Sequence, residues 1–242
     1  GNGASLTLIS SMATGLDEIS CTATTTDDYG ATDTETVSIF VDPTVPEFIS
    51  NASITPNTGI TTSSSVSCTG VATDPDGGAV TLSYEWNVGG TTLGTTQSST
   101  LSPTVVQPTD ILTCTITATD STGEIATSQA SVMIANTPPV LSGEIISPNT
   151  GVDTTTTLDC SVSVADADLE SITPSFRWTN GNNNLGSGAT ITLDPTIAQP
   201  SETITCTADV TDGYGSSDSV SVSVVIENTA PVISSVSISP TT

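Results

Sequence analysis

Apolar and polar residues alternate with a period of two along most of this chain, between clusters of Gly, Pro, Asn and Asp. Breaks roughly every eight to twelve residues, with no stretch of helical periodicity, are the signature of an all-β sandwich. One predicted strand carries Val66, Cys68, Gly70 and Ala72 on a single face. The next carries Leu82, Tyr84 and Trp86, and a later one Leu112, Cys114, Ile116 and Ala118. Further on, the same faces carry Leu158, Cys160, Val162 and Val164, then Phe176 and Trp178, then Ile204, Cys206, Ala208 and Val210. Val220, Val222 and Val224 continue the pattern on a last strand.

The second set of faces is a copy of the first. Cys68, Trp86 and Cys114 recur as Cys160, Trp178 and Cys206, each 92 positions further on. Ser-Tyr-Glu-Trp (83–86) answers Ser-Phe-Arg-Trp (175–178), and Ile-Leu-Thr-Cys-Thr (111–115) answers Thr-Ile-Thr-Cys-Thr (203–207). Internal repetition at a fixed period means tandem modules. The text around Cys21 matches only the back half of a module, and Val236-Ser237-Ile238-Ser239-Pro240 repeats the opening strand at 144–148. The expected organisation is therefore a half-module at 1–44, whole modules at 45–137 and 138–230, and the first strand of a further module at 231–242. On this expectation the partner of Cys21 lies outside the chain.

Charge narrows the set of partners. Lys+Arg is 1 against Asp+Glu 26, a formal net charge of −25, and histidine is absent. Such a surface repels nucleic acid and anionic lipid, and it attracts divalent cations. No apolar run approaches the ~20 residues needed to cross a bilayer, so no direct membrane insertion is expected in this segment. Abundant threonine, which is β-branched, suits strands with polar outer faces. Catalysis lacks parts as well: there is no histidine or lysine to serve as a general base or nucleophile. Paired carboxylates run glycoside hydrolysis, but aromatics are 3% of the chain, too few to stack a sugar. The expectation is a non-enzymatic protein.

Two cysteines 46 residues apart, with a tryptophan 18 residues after the first, resemble the immunoglobulin-like fold. That resemblance implies one cysteine in each sheet, bridged across the core as Cys68–Cys114 and Cys160–Cys206, with Trp86 and Trp178 packed on the bridges. Paired cysteines at domain spacing imply an oxidising, extracellular or cell-surface location. Asn136-Thr137-Pro138-Pro139-Val140 and Asn228-Thr229-Ala230-Pro231-Val232 look like the linkers of Ig-like or cadherin-like arrays in large bacterial and archaeal surface proteins. Neither tryptophan is followed by the Trp-Asp-Phe-Gly-Asp-Gly signature of PKD domains.

One constellation has chemical potential, and it is acidic. Asp74 and Asp76 follow the first cysteine strand of one module, and Asp166 and Asp168 hold the same place in the next. Asp120 with Glu124, and Asp212, follow the second cysteine strands, while the linkers contribute Asp42 and Asn136. In an Ig-like sandwich these loops emerge at one end, beside the incoming linker, where they would gather hard oxygen ligands around Ca²⁺ and stiffen the joint. The alternative reading is that Asp-Pro-Asp-Gly is good turn chemistry and the charge is solvated. No cofactor is required on either reading. Asn51-Ala52-Ser53 is the only Asn-x-Ser/Thr sequon, read either as a glycosylation site at Asn51 or as a chance match.

Three functions remain open on this reading, the weakest being a receptor or carbohydrate-binding module, whose loops are short and poor in aromatics and arginine. The array is a structural segment of an extracellular filament, sheath or surface layer, self-associating with other copies or neighbouring repeats. Alternatively it is the stalk of a giant surface adhesin, stiffened by interdomain Ca²⁺.

Overall fold

The structure, a computed structural model, describes residues 5–239. Residues 1–4 of the expected half-module and 240–242 of the expected final strand lie outside the described residues. The chain is all-β and falls into two compact units, Gly1–Ala135 and Asn136–Thr242.

In the first unit, β1 (Glu18–Thr26) and β2 (Thr32–Phe40) form an antiparallel hairpin. A sandwich of seven strands follows: β3 (Glu47–Thr55), β4 (Ser65–Thr73), β5 (Thr81–Val88), β6 (Thr91–Gly94), β7 (Ser98–Thr100), β8 (Ile111–Thr119) and β9 (Ile125–Met133). One sheet has the order β3-β4-β7 and the other β6-β5-β8-β9, with all pairings antiparallel. The second unit repeats this plan with β10 (Val140–Ser147), β11 (Thr157–Ala165), β12 (Ser175–Asn180), β13 (Asn183–Ser187), β14 (Thr190–Thr192), β15 (Thr203–Thr211) and β16 (Ser217–Val225). Its sheets run β10-β11-β14 and β13-β12-β15-β16. The chain thus contains two disulfide-bonded β-sandwich domains.

Period-two patterning decides which face packs inward. On β8, Leu112, Cys114, Ile116 and Ala118 are fully buried, and the intervening threonines face outward. The outward faces carry paired hydroxyls: Thr113 with Ser131, Thr205 with Ser223 and Thr207 with Ser221, at 2.8–2.9 Å. Each core is built on one bridge. Cys68 bonds Cys114, and Cys160 bonds Cys206, each across 46 residues. Trp86 pairs in register with Cys114, and Trp178 with Cys206, so each indole lies beside its bridge. Both tryptophans are fully buried. Their one polar atom is satisfied: Trp86 Nε1 donates to the Thr96 carbonyl at 3.0 Å, and Trp178 Nε1 to that of Gly188 at 2.9 Å.

The ends behave differently. Cys21 pairs in register with Val37, as Cys114 does with Ala130 and Cys206 with Val222, so β1–β2 copies the last hairpin of each sandwich. Its corresponding face is open, with Cys21, Val37 and Ile39 exposed. Residues 227–239 form no strand, and Val232, Val236 and Ile238 are exposed. The alternation expected of an opening strand is present there, but a strand needs a neighbour to satisfy its backbone, and none pairs with it among the described residues.

Closing a 46-residue loop restricts the unfolded chain by roughly 4 kcal/mol in the chain-entropy model. Replacing Cys160 and Cys206 together by alanine is expected to lower the unfolding free energy of that sandwich by about this amount. Urea titration under non-reducing conditions reads the change, and an unaltered midpoint would contradict it.

Candidate cation site

An aspartate recurs at the turn that follows each second cysteine strand. Asp27, Asp120 and Asp212 each stand six residues after a cysteine and three before a glycine with positive φ: Gly30, Gly123 and Gly215. That backbone conformation favours glycine. In each turn one carboxylate oxygen collects amide donors. Oδ1 of Asp212 accepts from Tyr214 N at 2.9 Å and Ser216 N at 2.8 Å. Oδ1 of Asp120 accepts from the amides of Thr122, Gly123 and Glu124 and from the Thr122 hydroxyl, at 2.8–2.9 Å. The turn therefore uses Oδ1 and leaves Oδ2 for other partners.

In the second unit that second oxygen looks onto further acids. Oxygens of Asp166, Glu170 and Asp212 all lie within 4.8 Å of one another. Asn136 closes the group from the start of the unit, its Nδ2 donating to Asp212 Oδ2 at 2.7 Å and to Ser216 Oγ at 3.0 Å. Asp168 Oδ2 accepts from Thr137 N at 2.7 Å, which ties the linker to the loop after β11. Glu170 Oε1 accepts from Gly213 N at 3.2 Å. Three oxygens in the group, Asn136 Oδ1, Asp166 Oδ2 and Glu170 Oε2, are shielded from solvent with no hydrogen-bond donor.

Buried acceptors without donors are costly, and so are carboxylates gathered without a counter-charge. Two unit charges at this range repel by roughly 3 kcal/mol at an effective dielectric of ~20. The one basic side chain is elsewhere, with Arg177 pairing Asp209 at 3.9 Å on the surface. A hard divalent cation answers both problems at once. Ca²⁺ takes oxygen ligands at 2.3–2.6 Å, so its shell is roughly 4.6–5.2 Å across, which matches the spread of these oxygens. The residues fit Ca²⁺.

The sequence-predicted residues divide accordingly. Asn136, Asp166 and Asp212 converge, and Asp168 sits beside them holding the linker. Glu170 was missed, although the run Asp166, Asp168, Glu170 places an acid at every second position. In the first unit, Asp42, Asp74, Asp76, Asp120 and Glu124 form no comparable trio among the described residues. Asp76 Oδ2 accepts from Thr44 N at 2.9 Å. Asp42 occupies the place of Ala135, because the strands before the two linkers are 93 positions apart, not 92. Asn51 is exposed on β3, where Ser128 Oγ donates to its Oδ1 at 3.4 Å.

No protein-family model matches the chain, and no curated protein does. Among solved structures, it is similar to fibronectin(III)-like modules of Clostridium thermocellum CbhA, at 14% identity and a TM-score of 0.29, covering 73% of this chain and 94% of that one. It is also similar to three N-terminal domains of the bacteriophage RB49 highly immunogenic outer capsid protein, at 15% identity and a TM-score of 0.30 (87% and 89% covered). A third likeness is to a Ca²⁺-stabilised adhesin with which an Antarctic bacterium binds ice, at 14% identity and a TM-score of 0.30 (87% and 56% covered).

Acid should loosen these turns. Burial works to raise the Asp120 carboxyl, but the Thr122 hydroxyl and the amides of Thr122, Glu124 and Gly123 outweigh it and hold it below the usual range. A folded value below the unfolded one, near 3.9, stabilises the protein above that pH. The contribution is lost as pH falls through the folded value. In circular-dichroism melts, the Asp120→Asn variant is expected to melt lower at neutral pH and to lose less below about pH 4. Parallel acid profiles for both proteins would contradict this.

Proposed function

We propose that this chain is a non-enzymatic structural segment of an extracellular filament, sheath or surface layer, built from bacterial or archaeal Ig-like repeats. The observation that carries the reading is the repeated unit: a seven-stranded sandwich with one inter-sheet bridge and a buried tryptophan against it, present twice. Its disulfides support a location outside the reducing cytosol. With a net charge of −25, the surface offers little to a nucleic acid. It suits self-association through polar, hydroxyl-covered faces and divalent-cation binding.

The cation site favours a second reading, the stalk of a large surface adhesin. A Ca²⁺ ion among Asn136, Asp166, Glu170 and Asp212 would fix the start of the unit to its own sandwich and reduce bending there. A stalk gains reach from that, and a laterally packed layer gains less.

Electron microscopy of the native protein in Ca²⁺-containing buffer separates the two. Ordered fibres or sheets, with a repeat commensurate with these modules, are expected. Isolated beaded strands ending in a distinct head would overturn the assembly reading in favour of the stalk.

A further inference from the structure

The two sandwiches share a plan, yet their acidic ends are finished differently. The loops after β4 and β11 are related by 92 positions, which pairs Asp74 with Asp166, Asp76 with Asp168 and Gly78 with Glu170. The linkers are related by 93, which pairs Pro43 with Asn136 and Thr44 with Thr137. Equivalent hydrogen bonds support that alignment: Thr44 N reaches Asp76 Oδ2 at 2.9 Å, as Thr137 N reaches Asp168 Oδ2 at 2.7 Å. Both residues that complete the group in the second unit, Asn136 and Glu170, are thus replaced in the first by residues with no side-chain oxygen.

The backbone closes the gap they leave. Asp74 Oδ1 accepts from Asp76 N at 2.9 Å, and its Oδ2 from Gly78 N at 3.0 Å. Only glycine permits that approach, since a Cβ at position 78 would stand 2.5 Å from Asp74 Oδ2 and 3.0 Å from Ser121 Oγ. In the second unit the exchange runs the other way. Asp166 Oδ1 accepts from Asp168 N at 2.7 Å, while its Oδ2 has no donor. Glu170 fills the space, and glycine now stands opposite it: a Cβ at Gly213 would lie 2.8 Å from Glu170 Oε1. Gly78 with Ser121 and Glu170 with Gly213 are two mutually exclusive ways to pack one corner. The first leaves a single orphaned oxygen, Asp120 Oδ2, and the second leaves three in one group.

We infer that cation dependence is a property of individual repeats: the second sandwich, taken with Asn136 and Thr137 of its linker, binds one Ca²⁺, and the first, taken with Pro43 and Thr44 of its linker, is closed by backbone hydrogen bonds and binds none. The residue at the Gly78/Glu170 position selects between the two finishes. An array of such repeats then has modules whose ends respond to Ca²⁺ and modules whose ends do not, in an order written in the sequence. This inference rests on the calcium reading above.

Calorimetric titration of the whole, EDTA-stripped chain with CaCl₂ tests it. One site per chain is expected, weakened at least tenfold by the near-isosteric Glu170→Gln and unchanged by Asp74→Asn. Two sites, a single site abolished by Asp74→Asn, or one indifferent to Glu170→Gln would overturn the inference and leave the calcium reading standing. Absence of binding in the unaltered chain would overturn both.

Discussion

The bond between the two sheets, seated against a buried tryptophan, is the constraint on which the rest of each sandwich depends. Aromatics are 3% of the chain, and beyond its tryptophan and cysteines each core is built mainly from Ile, Leu and Val. A sandwich of this size has little core to begin with. Cross-linking Cys68 to Cys114 and Cys160 to Cys206 offsets the deficit by restricting the unfolded chain. It also fixes the register of β5 and β8, and of β12 and β15, because each tryptophan must lie beside its bridge. With the interior settled this way, the outer faces are free to be threonine and serine, and the loops are free to be acidic.

The loops use that freedom economically. One aspartate at the end of β8 or β15 does two things: Oδ1 shapes the turn and Oδ2 is left over. The leftover oxygen in the first unit stays alone, but in the second it joins Asp166, Glu170 and Asn136. A turn built for folding thus becomes a candidate cation site through a few changes in the loop and linker around it. The two readings of the acidic clusters, turn chemistry and ligand set, are therefore compatible in the second sandwich.

Much of the fold was legible in the sequence because strand patterning and a repeat are both periodic. Leu112, Cys114, Ile116 and Ala118 are buried on the face that alternation assigned them. The site was legible only in part. Asp166, Asp168, Asp212 and Asn136 were visible as acids and amide near the same end, but Glu170 was not, since its counterpart Gly78 carries no side chain to suggest a ligand position. Asp42 stands out of step with Asn136 for a different reason. A one-residue difference within the first strand of the module, where β3 is twice irregular and β10 once, moves the linker out of step with the 92-residue repeat. Such an irregularity is a matter of backbone pairing, which the pattern of side chains alone does not reveal.

Pulling the chain end to end tests the central claim most directly, because the bridges must carry load if they brace the sandwiches. Each closes 46 residues, so an intact bridge withholds about 160 Å of extended chain at roughly 3.5 Å per residue. Single-molecule force spectroscopy is expected to show two unfolding steps that each lengthen by about that amount once reductant is added. Steps of equal length with and without reductant would mean that the sheets are held together by their cores alone, and the account would fail.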